Sequence, residues 1–274
     1  MNETAEFSFG DDSVASAYDN VLVKILFEPW AVRLIEENQP WEGRRVLDLA
    51  TGTGIVAQQL AEQVGSGGNV IGTDINAEML TLARKRCADL TPTVEFIECP
   101  SHPLEISNCS IDFVVCQQGF QFFPDKLAAA REIYRVLCDG GKTIASTWQP
   151  VADCEYFGAI CNALNTIGET EMADMMRVPF DFMPASELTS HFEAAGFENV
   201  QLRQQEQDLV IDGQITDAVE VAYSTPIGPK LSALLDDRQN QFRNEFAELL
   251  HKLSNGKNTM GRMVSNVLSA EKPT

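Results

Sequence analysis

Apolar positions along this chain follow two alternating rhythms. Short, nearly continuous apolar runs occupy 46–49, 69–73, 94–98 and 111–116. Each is bounded by Gly, Pro, Asn or charged residues, which predicts buried strands. The stretches between them carry helical spacing. One helix is predicted over 55–63. A second is capped by Asn76, with Met79, Leu80 and Ala83 as its inward stripe. A third starts at Pro124 or Asp125, carries Leu127, Ala130, Ile133, Tyr134 and Leu137 on one face, and ends at Asp139-Gly140-Gly141. A fifth strand is predicted over 142–148. Strand–helix alternation of this kind predicts an α/β fold around a parallel sheet.

The flanks read differently. Residues 1–13 are expected to be disordered. Over 14–37, Leu22, Ile25, Leu26, Trp30, Ala31 and Leu34 recur at helical spacing, and Pro29 marks a break between two helices. After Pro150 a helix over 155–167 leads into ETEMADMMRVPFDFMP, rich in Met and Phe. That segment reads either as a flexible cap over a pocket or as a core-packing insertion. A helix over 185–195 ends at Gly196. A strand over 199–211 follows, then helical segments over 215–223 and 229–253, broken by Pro226 and Gly228. The last strand is predicted over 260–270.

Chemistry concentrates in RRVLDLATGTGIVAQQL, residues 44–60. A strand runs into a turn holding Gly52 and Gly54, and a helix starts directly after it. Such a turn lets a ligand approach bare backbone, and the helix N-terminus adds partial positive charge. Asp74 closes the next strand, about 20 residues on, where an acidic residue grips ribose hydroxyls. These features predict a nucleoside-containing cofactor. Gly52-Thr53-Gly54-Ile55-Val56-Ala57 also fits the dinucleotide fingerprint G-x-G-x-x-G/A, so a nicotinamide oxidoreductase is a rival reading.

Bulk properties narrow the field. At 274 residues the chain makes one large domain or one domain with an elaborated cap. No apolar run reaches the roughly 20 residues of a membrane span. The acidic N-terminus is unlike a secretory signal. Seven cysteines without a C-x-x-C pair suit a reduced, cytoplasmic protein and predict no metal centre. A net charge of −20 argues against nucleic-acid partners.

The order VLDLATGTG resembles the first motif of the class I S-adenosylmethionine (SAM) methyltransferases. In that family the strand ends in an acidic residue, here Asp48, and the first motif glycine falls at Ala50. A carboxylate there suits the ammonium of the methionine tail. Two further stretches resemble the same family: D-x-V-x-x-Q-x-x-F-x-F-F-P-D, spanning Asp112 to Asp125, and RVLCDGG before the fifth strand. The resemblance is to the small-molecule, ubiquinone/menaquinone-biosynthesis type. It implies a Rossmann-like seven-stranded sheet of order 3-2-1-4-5-7-6, with the last strand antiparallel, helices on both faces and a helical cap. It also implies three regions: N-terminal helices forming a lid (1–40), a SAM-binding core (41–150), and the rest of the sheet with its cap (151–274).

The implied cofactor is SAM, leaving as S-adenosylhomocysteine. Its implied contacts are Tyr18 from the N-terminal helices, Asp48, Ala50, Gly52 and Gly54 at the turn, Asp74 at the ribose, and Ile75 on the adenine face. Family members often have an aspartate for the adenine amino group where this chain has Pro100. Backbone around Cys99 and Ser101 is the substitute. Gln117 and Gln118 line the floor beside the sulfonium. His102 is nearby but reads as a polar loop residue. At least one of Phe122 and Phe123 is expected in the core. Methyl transfer from a sulfonium needs chiefly proximity and alignment, and no residue is assigned as catalytic. The implied acceptor is a small molecule. A non-catalytic SAM-binding module is a third reading, and oligomeric state is left open.

Overall fold

The sheet expected from the alternation is present, with seven strands in the order β3-β2-β1-β4-β5-β7-β6. The computed structural model describes residues 16, 18–181 and 183–274. The expectation for residues 1–13 lies outside them. The strands are β1 (Arg45–Leu49), β2 (Asn69–Asp74), β3 (Glu95–Glu98), β4 (Ile111–Gln117), β5 (Leu137–Trp148), β6 (Glu198–Asp212) and β7 (Asn258–Glu271). Strands β1 to β5 pair in parallel, with Val46 opposite both Val70 and Phe113. β7 runs antiparallel to β5, placing Ser146 opposite Val267.

The helices are α1 (Tyr18–Phe27, wound with wide π-type turns), α2 (Glu28–Glu36), α3 (Ile55–Val64), α4 (Ala77–Arg86), α5 (Lys126–Val136), α6 (Glu155–Thr166), α7 (Thr170–Arg177), α8 (Ala185–Ala195), α9 (Ile215–Val221), α10 (Gly228–Ser232) and α11 (Asp236–Leu250). The break between α1 and α2 falls one residue before Pro29. Asn76 caps α4 by accepting from the Glu78 and Met79 N–H groups, and Asp125 caps α5 by accepting from Ala128 N–H.

Several elements differ from the sequence reading. The third predicted helix stops at Val136 rather than at Asp139-Gly140-Gly141, and β5 opens at Leu137 rather than Lys142. Leu137 pairs with Ile111 and is fully buried as a strand residue. The glycines sit inside an irregular strand opening, tied by Gly140 N–H to the Lys272 carbonyl. The helix expected over 229–253 is two, α10 and α11, separated by Ala233–Leu235; Leu235 adopts an extended conformation and starts α11.

The chain divides into two compact units. One comprises Glu28–Gln149, Pro179–Gln205 and Ser265–Thr274. Its core packs Leu47, Leu49, Val114, Cys116, Phe120, Ile133, Leu188, Phe192 and Leu268 together. Continuous burial of both faces is why its central strands read as unbroken apolar runs. The other comprises Met1–Phe27, Pro150–Val178 and Glu206–Val264. There the buried Tyr156 ring meets Phe246, and its hydroxyl donates to the Ala218 carbonyl at 2.6 Å. Met172 and Met176 on α7 are buried as well.

Candidate functional site

The turn after β1 is held from inside. Asp48 is only 1% exposed. Its Oδ2 accepts from the Thr51 hydroxyl at 2.5 Å, and the Ala57 N–H in the first turn of α3 also donates to it. One carboxylate therefore satisfies both the turn and an N–H the helix start would leave unpaired. Burial pushes the Asp48 carboxyl up to about 7, against the pull of those two donors. Among the described residues no cation pairs with it.

The two glycines divide the work of the turn. Gly54, at φ +84°, backs onto α4: a Cβ there would lie 2.9 Å from the Ala83 Cβ. This glycine lets α3 and α4 approach. Gly52, at φ +55°, faces nothing within 4 Å, so its outer side is open. Ala50 also takes a left-handed conformation, at φ +58°. The left-handed region is uncommon for residues bearing a Cβ and recurs at ligand sites.

Asp74 ends β2 beside this turn. Its Oδ2 accepts from Gly52 N–H and its Oδ1 from Asn76 N–H, both at 2.9 Å. The carboxylate is thus fixed in direction while retaining lone pairs for further donors. Burial raises its pKa, against the backbone donors. Among the described residues it too lacks a cationic partner. Ile75, the next residue, is 74% exposed, an apolar side chain left bare beside a carboxylate. Ser101 is buried, Pro100 exposed, and His102 half-buried. The Cys99 N–H is taken by the Asp74 carbonyl at 3.1 Å, so it is not free for an adenine.

At the end of β4, Gln117 is half-buried and Gln118 only 5% exposed. Gln118 holds a left-handed conformation, at φ +55°. Its Nε2 lies 2.9 Å from Ser265 Oγ on β7, which itself donates to the Thr147 carbonyl at 2.9 Å. Because the serine hydrogen is committed, the serine must accept from the amide N–H. The amide orientation follows, and Oε1 is left buried without a hydrogen-bond partner. An unpaired buried amide oxygen costs about 1–3 kcal/mol. Phe120 is fully buried, Phe123 packs against its ring at 5.4 Å, and Phe122 is partly exposed. The expectation that one of Phe122 and Phe123 joins the core is met by Phe123.

Asp48, Ala50, Gly52, Gly54, Asp74, Ile75, Gln117 and Gln118 therefore gather at the C-terminal ends of β1, β2 and β4, where open α/β sheets bind ligands. Tyr18 belongs to the other unit; it is half-buried, its ring 5.2 Å from that of Phe27. The Gln118–Ser265 link was not foreseen. It joins residues 147 positions apart, and no local pattern announces it.

Residues 46–141 match the family model described as a methyltransferase domain. A ubiquinone/menaquinone biosynthesis C-methyltransferase of Xylella fastidiosa (strain M12) is 31% identical over 204 residues, covering 68% of this chain and 79% of the relative. The chain belongs to the SAM-dependent methyltransferases. A C-methyltransferase of the same description from Xanthomonas campestris pv. campestris is 36% identical over 158 residues, covering 53% of this chain and 62% of that relative. A Haemonchus contortus phosphoethanolamine N-methyltransferase 2, crystallised with SAM, shares the fold at a TM-score of 0.61 and 17% identity, covering 96% of this chain and 58% of that one.

The cofactor of this methyltransferase is SAM, and the acceptor is a small molecule. The residues present fit that cofactor. A positively charged, hydroxyl-bearing ligand suits two carboxylates without cations, an open glycine flank and a bare isoleucine. A pyrophosphate would gain nothing from a carboxyl at Asp48. Among the described residues no group of three or more His, Cys, Asp or Glu is placed to hold a metal ion. Among them, too, no helix is long and apolar enough to cross a membrane.

Proposed function

We propose that this enzyme methylates a carbon atom of a small ring acceptor, with SAM seated across the C-terminal ends of β1, β2 and β4. The observation that carries the seating is Asp74, whose two oxygens are locked by Gly52 and Asn76 N–H beside the open face of Gly52. Its remaining lone pairs take the ribose hydroxyls as charge-assisted hydrogen bonds. Ile75 covers one adenine face. Ser101 supplies a backbone or hydroxyl contact on the other flank, in place of the aspartate that Pro100 replaces. Ala50, Gly52 and Gly54 border the methionine tail. Asp48 serves the tail by holding the turn it caps. Tyr18 remains the contact proposed from the N-terminal helices.

SAM, when bound, supplies a methyl group already activated by its sulfonium. The protein's task is to align and desolvate. Gln117 and Gln118 border the reacting side. No side chain is assigned as catalytic. Carbon as nucleophile is favoured by the C-methyltransferase relatives. The net charge of −20 supports a small acceptor over nucleic acid, and the free cysteines suit a cytoplasmic place. Residues 151–274 would supply acceptor specificity, and residues 1–40 a lid.

The test is incubation with methyl-deuterated SAM and a panel of hydroquinones, phenols and amines, with products read by mass spectrometry and the methyl position by NMR. A deuteromethyl on a ring carbon supports the reading. Label on oxygen or nitrogen alone overturns the carbon assignment. A melting shift with NAD and none with SAM overturns the cofactor.

A further inference from the structure

The seven cysteines do not share one environment. Cys87, Cys99, Cys116, Cys154 and Cys161 are buried, whereas Cys109 is exposed and Cys138 half-buried. Burial pushes the Cys87 thiol up to about 11, and those of Cys99 and Cys116 upward as well. Those thiols behave as small core hydrophobes. The two accessible ones are neighbours. Cys138 Sγ lies 2.9 Å from the Cys109 carbonyl oxygen. Two backbone hydrogen bonds, Cys109 N–H to Arg135 O at 3.0 Å and Ser110 N–H to Val136 O at 2.9 Å, hold the two segments side by side.

Each sulfur also has its own cation. Arg45 Nη2 is 3.2 Å from Cys138 Sγ, and Lys272 Nζ is 3.6 Å from Cys109 Sγ. Lys272 is held there by the Leu137 carbonyl at 2.8 Å and by the Tyr134 ring at 4.9 Å. Arg45 is held by Asp112. Accessible sulfur beside fixed positive charge is the environment of reactive cysteines. Cys109 is further set apart by a left-handed backbone, at φ +49°. The cluster lies where β1, β4 and β5 begin, and the cofactor residues lie where β1, β2 and β4 end.

We propose that Cys109 and Cys138 form a dithiol modification site that hydrogen peroxide oxidises to a disulfide. Cys109, the more exposed, attacks one peroxide oxygen as thiolate. The O–O bond breaks, a sulfenic acid forms, and the departing hydroxide takes up the thiol's proton as water. Cys138 then attacks that sulfur. The S–S bond forms, the S–O bond breaks, and the second hydroxide leaves as water with the Cys138 proton. The peroxide is reduced and the two sulfurs are oxidised, with no other reactant. The bridge ties the segment before β4 to the irregular opening of β5, whose glycines are already anchored by the Lys272 backbone.

The test uses the whole protein. Ellman's reagent counts accessible thiols before and after one equivalent of hydrogen peroxide. Alkylation, digestion and mass spectrometry then map the product. Two fast-reacting thiols, both lost on oxidation, and a cross-linked peptide pair holding Cys109 and Cys138 are expected. In Cys138→Ser the cross-link is absent, and Cys109 carries a dimedone adduct when the oxidation is run with that trap. Peroxide that leaves both thiols free, bridges other cysteines, or joins two chains would overturn the proposal. So would a Cys138→Ser protein whose Cys109 gains no adduct. The wild-type peptide map decides the matter even if the variant folds poorly.

Discussion

Opposite ends of β1, β2, β4 and β5 treat charge in contrary ways. At the starting end three acids have cations. Asp112 pairs with Arg45, Asp139 with Lys272, and Glu271, at the close of the antiparallel β7, with Lys142. At the finishing end Asp48 and Asp74 are buried or half-buried, and among the described residues neither has a cation. Those three carboxylates are matched by the fold itself. The finishing end is complete only with a cationic, hydroxyl-rich ligand. The difference teaches where the fold spends stability on function: a carboxylate held by backbone donors in place of a salt bridge, as Asp74 is, keeps lone pairs for a guest.

The comparison breaks most sharply at Asp74. Asp74→Ala is expected to weaken SAM binding about 100-fold, on the order of 3 kcal/mol, for the loss of two charge-assisted hydrogen bonds. Calorimetric titration measures it. Asp112→Ala, at the starting end, is expected to leave SAM affinity within about twofold, because it touches only the matched end.

Acid sharpens the same contrast. Folded Asp48 keeps its proton up to about pH 7, whereas the unfolded carboxyl gives it up near 3.8. Between those values the folded state binds the extra proton. Ligand-free protein therefore gains stability from Asp48 as pH falls through this window, and loses it as pH rises. Asp112 does the reverse: its partner Arg45 holds it below the usual range, so its contribution is present above the ordinary carboxylate value and is lost as pH falls below it. Asp48→Asn is expected to be more stable than the parent at pH 8, on the order of 3 kcal/mol, with the two converging near pH 4. Urea unfolding across pH reads the difference.

Both glycines of the turn were legible in the sequence; their division of labour was not, because it depends on what lies behind each. Gly54→Ala puts a Cβ against Ala83 and is expected to cost about 2 kcal/mol of stability. Gly52→Ala meets open space and is expected to cost about 1 kcal/mol of stability while weakening SAM binding. Chemical denaturation and titration of the pair separate fold from site. If both lose stability alike and neither loses affinity, the division fails.

The smallest effect belongs to Ile75. Ile75→Ser is expected to lower SAM affinity about fivefold, near 1 kcal/mol, for a partly lost apolar contact. Thermal melting without ligand should not change, since the side chain is already bare.

How much was legible follows from how far apart the partners lie. Asn76, Asp125 and Gly196 announce their helix ends because a cap acts on its own turn. Asp74 announces itself because strand, turn and helix come in a fixed order. The strand order and the reversed β7 came from resemblance. Leu137 misled: an apolar residue followed by Asp-Gly-Gly suits a helix end as well as a strand start, and only its pairing with Ile111 decides. Cys99 reads as a candidate donor from sequence, but the Asp74 carbonyl occupies its N–H. Gln118 with Ser265, and Cys109 with Cys138, are pairs made by topology, invisible to any local window.

A crystal structure with S-adenosylhomocysteine bound tests the central claim most directly. The account predicts both ribose hydroxyls within hydrogen-bond distance of the Asp74 carboxylate, the adenine against Ile75, and the amino-acid tail over the open side of Gly52. A ligand seated elsewhere, or a ribose that makes no contact with Asp74, would contradict it.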